Sequence, residues 1–227
     1  MTPKIIAAAQ PTAPTSAPAA TRRGRGRPQA FDRSQALCAA MRLFWDRGYD
    51  GTSFDDLIAA MGISPSSFYN AFGGKEALYQ EAIDTYLKVA AAWFFTILND
   101  QADRADTRAI FERLLTTAAA EFTRDDLPTG CMIAAAATQC APTQARLRDL
   151  LATQRTQSEA ALATRLRQGL QAGDLPPGTD TDALAAFYSA ILRGMAVQAR
   201  DGAPREKLLE IARIAMHAWP TPPQGRP

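Results

Sequence analysis

Between Phe31 and Gly74 the apolar residues recur at helical spacing, and glycines cut the pattern into three short pieces. This punctuation constrains the chain more than any other feature. In the first piece Leu37, Met41, Phe44 and Trp45 stand at i, i+4, i+7 and i+8, one stripe of a helix. Asp32 is a good N-cap, Gln35 follows three positions later as in a capping box, and Gly48 ends the helix. The second piece starts at Thr52 or Ser53, turns Phe54, Leu57, Ile58 and Met61 inward, and stops at Gly62. The third is capped by Ser64 and has Pro65 at its first position, where a missing N–H costs nothing. Phe68 and Phe72 point inward before Gly73 and Gly74 break it.

The rest of the chain also reads as helix. The spacing predicts a long helix over 75–98, another over 107–123 and a short one over 131–140. Further helices are expected over 142–172, 181–200 and 204–219. No strand pattern appears, and β-branched residues are sparse in the second half. The expected fold class is all-α, with an N-terminal three-helix unit continuous with a larger helical C-terminal domain. Residues 1–30 are proline-rich and of low complexity, which predicts a disordered arm. The expected boundaries are 1–30 for the arm, 31–78 for the three-helix unit, 79–220 for the C-terminal domain and 221–227 for a flexible tail.

Net charge is only +2, but its distribution is uneven. The arm carries Lys4, Arg22, Arg23, Arg25 and Arg27 and no acid, and short basic arms often bind nucleic acid. The three cysteines, Cys38, Cys131 and Cys140, have no CxxC spacing, which argues against a disulfide framework or a zinc site and fits a reducing compartment. The longest apolar run, Val89 to Phe95, is far short of the roughly 18 residues that span a bilayer. The N-terminus lacks the apolar stretch of a signal peptide. A cytoplasmic protein with no membrane partner is expected.

Two short helices joined by Gly62 are the sequence form of a helix-turn-helix, whose second helix enters the major groove. That helix must expose small polar groups at its N-terminal end. Here it offers Ser64, Ser66 and Ser67, with Tyr69 and Asn70 one turn on. The stretch from Phe44 to Leu78 resembles the TetR family of regulators. The resemblance rests on Leu43-Phe44-Trp45, Gly48-Tyr49, Thr52-Ser53, Asp56-Leu57, Met61-Gly62, Ser64, Ser67, Tyr69, Phe72, Lys75 and Leu78, in order and without gaps. It implies that Pro65, Ser66, Ser67 and Asn70 read bases. It implies phosphate contacts from Tyr69 and Lys75, and from Thr52 and Ser53 at the start of the second helix. The arm's arginines Arg22, Arg23, Arg25 and Arg27 suit a narrow minor groove. The Gly73-Gly74 pair departs from the family pattern, where polar or charged residues are common.

The resemblance further implies a homodimer on a near-palindromic double-stranded operator, and repression relieved by a small-molecule effector. Pairing is expected through 181–200 and 204–219, with Ala185, Ala186, Ser189, Ala190, Gly194 and Ala196 allowing close helix approach. The candidate effector residues are Trp93, Phe111, Phe122, Cys131, Met132 and Phe187, each of which could equally be ordinary core. Cys131 follows Gly130 at an expected helix start, where a thiol can be activated, although an inert buried cysteine is the plainer reading. No cofactor, metal cluster or catalytic motif is found, and the only histidine, His217, stands alone. A DNA-binding adaptor without a ligand, or an enzyme of unrecognised type, are the alternatives left open.

Overall fold

A computed structural model describes residues 31–100, 106–139 and 144–221, the side chains of 137–139 excepted. The helices in chain order are α1 (Arg33–Arg47), α2 (Phe54–Met61), α3 (Pro65–Phe72), α4 (Lys75–Val89) and α5 (Ala92–Leu98). They continue with α6 (Thr107–Phe122), α7 (Met132–Gln139), α8 (Ala145–Ala172), α9 (Thr181–Arg200) and α10 (Arg205–Ala215). No strand occurs among the described residues, and the fold is all-α. None of their helices is long and apolar enough to cross a membrane.

Capping chemistry fixes the first three helices. The Asp32 carboxylate accepts from the N–H groups of Ser34 and Gln35, at 2.8 and 3.1 Å, satisfying donors that α1 cannot satisfy itself. A reciprocal capping box forms at α2. There Ser53 Oγ accepts from Asp56 N–H at 3.0 Å, and the Asp56 carboxylate accepts from Ser53 N–H at 3.0 Å. The Ser53 hydroxyl, donating to the Asp56 carboxylate at 2.6 Å, and then the Ser53 N–H hold that carboxyl below its ordinary pKa, with Arg47 assisting. Gly62 closes α2 at φ 65°, a left-handed conformation open to glycine without a Cβ clash. Ser64 caps α3 by accepting from Ser67 N–H at 3.2 Å, and Pro65 occupies the first turn.

Several boundaries differ from expectation. The helix predicted over 75–98 is two helices, because the N–H groups of Ala90 and Ala91 both turn onto Tyr86 O at 2.9 Å. The break lets Tyr86 stay in one core while Ile97 and Leu98 enter another. Neither glycine nor proline marks it. The short helix starts at Met132, leaving Cys131 just before it, and α10 gives way to a single 3₁₀ turn over Met216–Ala218.

Two apolar cores result. Phe44, Trp45, Leu57, Phe68, Leu78 and Tyr79 centre the first, which also takes in Met132, Ile133, Leu147 and Leu151 from α7 and α8. Packing therefore continues across residue 78, because α4 and α7 close the three-helix unit from behind. The second core lies among α6, α8, α9 and α10. In it Phe111 lies 4.9 Å from Tyr188 and 5.4 Å from Trp219, centroid to centroid.

Candidate nucleic-acid interface and interhelical cavity

The surface of α3 follows from what its other side buries. Phe68 is fully enclosed, edge-on to Phe54 at 4.9 Å, and Phe72 is buried beside it. Residues one and two positions away must then face out. Pro65, Ser66, Tyr69 and Asn70 are exposed and Ser67 is half-buried. The three serine hydroxyls form a local cluster, with Ser64 Oγ 3.0 Å from Ser66 Oγ and donating to Ser67 Oγ at 2.9 Å. Tyr69 is 57% exposed, yet its ring stacks on Phe54 at 5.4 Å. No charged side chain occurs from Pro65 to Phe72, so beside the Pro65 ring α3 presents uncharged hydroxyl, amide and phenol groups.

Around this face the other candidates divide. Lys75 opens α4 with its Nζ 4.3 Å above the Tyr49 ring, a cation–π contact that seats the ammonium on the turn after α1. Burial pulls its pKa below the usual lysine value, and Asp50 opposes that shift. Ser53 is exposed, with its hydroxyl engaged to Asp56. Thr52 corrects the sequence reading. Its side chain is fully buried and its hydroxyl donates to Gly48 O at 2.7 Å, so it locks the turn after α1 and presents no group to a ligand. Arg22, Arg23, Arg25 and Arg27 lie outside the described residues. Arg33 was not anticipated. It donates to Ala71 O at 3.2 Å and to Glu81 at 2.8 Å, and lies over the Phe72 ring, tying the start of α1 to the end of α3. Only its place beside a cap could have signalled this role.

An apolar cavity of about 100 Å³ lies where the two cores meet, walled by Tyr86, Trp93, Phe122, Cys131, Leu162 and Leu192 among others. Trp93, Phe122 and Cys131 were expected there. Phe111 is instead sealed between Tyr188 and Trp219, and Met132 is buried in the first core. Phe187, 37% exposed, lies on the outside of α9. Tyr86, Leu162 and Leu192 were missed, because helical spacing does not say which buried side chains face a gap. Ser158, Ser189, Arg155 and Arg193 add polar groups at the wall. The Tyr86 hydroxyl donates to Cys131 Sγ at 3.2 Å, and burial pushes its pKa well up. The Tyr86 ring meets the Trp45 ring of α1 edge-on at 4.8 Å, so one wall of the cavity leans directly on the three-helix unit. No group of three or more potential metal ligands occurs among the described residues.

On α9 the small residues divide. Ala185, Ser189 and Ala196 are buried within the chain, whereas Ala186, Ala190 and Gly194 are exposed on the face that also carries Phe187 and Val197. The inward three pack against the chain's own helices and leave the surface, which corrects half of the expected contact stripe.

The family model described as bacterial regulatory proteins, tetR family, matches residues 36–82. A second, tetracyclin repressor-like, C-terminal domain, matches 107–213. The HTH-type transcriptional repressor ComR of Escherichia coli (strain K12) is 34% identical over 199 residues, covering 88% of this chain and 94% of that protein. The chain belongs to the TetR family. It is a helix-turn-helix DNA-binding transcriptional regulator, and α2 and α3 are its helix-turn-helix. A second relative, the HTH-type transcriptional repressor BdcR of the same organism, is 28% identical over 200 residues, covering 86% of this chain and 93% of that one. Among solved structures, a cysteine mutant of the TetR family regulator CifR, complexed with 26-base-pair double-strand operator DNA, is 41% identical with a TM-score of 0.81. That match covers 86% of this chain and all of the other.

Proposed function

We propose that this TetR regulator is a cytoplasmic, homodimeric repressor that leaves its operator when a small, mainly apolar effector enters the cavity. The observation that carries the reading is the pairing of two features. One is the exposed, uncharged polar face of α3. The other is a cavity whose wall, Tyr86, touches Trp45 of the helix that supports α3. Similarity to an operator-bound relative along that relative's whole length supports the DNA half, and the repressors ComR and BdcR support the direction of regulation.

Residues on the two sides of the interface should fail differently. Asn70 can bond adenine through two hydrogen bonds in the major groove, worth about 1–3 kcal/mol of discrimination. In selection of sites from random DNA, Asn70→Ala is expected to lose preference at one position of each half-site. Lys75→Ala is expected to weaken all sequences alike and to lower the slope of log affinity against log salt by about one. An Asn70→Ala profile identical to the wild type would move that residue off the bases. A sequence-dependent loss in Lys75→Ala would take it off the phosphates.

The effector should be compact. A cavity of about 100 Å³ takes a molecule of roughly benzene size or smaller unless the walls part. Occupancy should press Tyr86 toward Trp45 and weaken operator binding by about 5- to 150-fold, the usual range of allosteric coupling. A panel of small aromatic and aliphatic compounds, ranked by thermal shift, should yield binders that release operator DNA. Leu192→Trp, which fills the cavity, should abolish both responses. Release that persists in Leu192→Trp would place the effector elsewhere, and no release by any binder would favour a DNA-binding adaptor.

A further inference from the structure

Arg200 is the last residue of α9, and its side chain points away from its own helix bundle. The guanidinium donates to Trp45 O at 2.8 Å and, more closely, to Asp46 O. Both carbonyls belong to the last turn of α1, where they have no partner within the helix and carry the negative end of its dipole. No carboxylate among the described residues forms an ion pair with Arg200, so its charge is directed at the helix end. Two successive carbonyls need two diverging N–H groups, which arginine supplies from one rigid plane and lysine does not.

The contact is part of a tight joint. A Cβ added to Gly130 would come within 2.5 Å of Ala196 O and 3.6 Å of Arg200 Cβ, so the segment before α7 is pressed onto the same end of α9. Arg42 of α1 donates to Asp126 O of that segment at 2.9 Å. The end of α9, the 123–131 segment and α1 thus meet at one point. On α9 itself, the exposed stripe of Ala186, Ala190 and Gly194 ends at Gly194, less than two turns before Arg200.

We propose that Arg200 is a positioning residue that sets the separation of the two recognition helices, by pinning α1 to the helix through which protomers pair. The proposal rests on the homodimer reading. A dimer fixes α9 about its two-fold axis, Arg200 fixes α1 to α9, and the shared core fixes α3 to α1. The joint then determines how far apart two half-sites must lie. Without it the three-helix unit keeps its own fold but loses one tether to the dimer axis.

The test uses the full chain and a series of synthetic operators whose half-sites are moved one or two base pairs closer or farther apart. The wild type should sediment as a dimer and bind best at one spacing, with a steep fall on either side. Arg200→Met keeps the apolar stem and removes the donors. It should remain dimeric, lose affinity at the best spacing by about tenfold, within the range of inter-site coupling, and show a flattened dependence on spacing. Arg200→Lys should fall between. A dimeric Arg200→Met with the wild-type profile, or one uniformly weakened but equally sharp, overturns the proposal. Should Arg200→Met fail to fold, a wild-type profile in Arg200→Lys overturns it by the same criterion. A wild-type monomer by sedimentation overturns the homodimer reading itself, and that outcome is recognisable before any operator is added.

Discussion

Gly194→Arg is expected to yield a folded monomer whose operator affinity is lower by about 10²- to 10⁴-fold, the gain that linked half-sites ordinarily provide. The monomer should tolerate the change, since a Cβ at Gly194 meets nothing within 4 Å beyond the adjoining backbone of its own helix. Replacing a mid-helix glycine should even favour α9 by about 1 kcal/mol. What the arginine would disturb is the facing α9 of the proposed dimer. Ala186, Ala190 and Gly194 form a low ridge flanked by Phe187 and Val197, and a long charged side chain at its centre would hold a facing helix away. Each freed protomer would still engage one half-site, with the weak affinity of a single recognition helix. Sedimentation velocity and operator titration read the two effects separately. A Gly194→Arg chain that remains dimeric and binds as the wild type would remove α9 from the interface.

Phe68→Ala is expected to lower stability by about 3–5 kcal/mol and to abolish operator binding at any salt concentration. Phe68 is the anchor of α3. It is fully buried, edge-on to both Phe54 and Tyr69, with Phe72 on its far side. A helix of eight residues does not persist in water unaided, so losing the anchor loosens the whole recognition surface. The damage should be local. Trp45 reports the first core and Trp219 the second, and single-tryptophan versions of the protein should show early loss of the Trp45 signal alone. Tyr69→Ala, one residue along but outward, should change stability little by comparison. A destabilisation of Phe68→Ala below about 1 kcal/mol would contradict the packing described for α3.

Local chemistry was the legible part of this chain. Asp32, Ser53 and Ser64 cap helices where a side-chain oxygen can meet free N–H groups, and Gly48, Gly62 and Gly73 end them. The span of α9 from Thr181 to Arg200 and the inward face of α3 were readable for the same reason, since capping and helical period are written in neighbouring residues. The resemblance to TetR regulators in the first three helices was visible as an ordered set of residues, and the family matches agree with it. Less legible was anything decided by residues distant in sequence. The break after Val89 arises because Tyr86 and Leu98 serve different cores. Thr52 looked like a surface cap, but the turn after α1 draws its hydroxyl onto Gly48. Phe111 and Leu162 have the same kind of helical spacing, yet only Leu162 borders the cavity. Arg200 meets carbonyls more than 150 residues away, a pairing no local pattern could suggest.

The stacking of Tyr69 on Phe54 has an entropic consequence. An exposed side chain that binding must immobilise costs about 0.5–1.5 kcal/mol of rotamer freedom. Tyr69 is already confined by the ring beneath it, so most of that loss is incurred when the chain folds and little would be left for the DNA contact proposed for it. The phenol is poised before a partner arrives, and its hydroxyl sweeps a narrow arc rather than the full range open to an unsupported tyrosine. Phe54→Ala should therefore weaken operator binding through a less favourable association entropy, even though Phe54 itself need touch nothing but Tyr69 and Phe68.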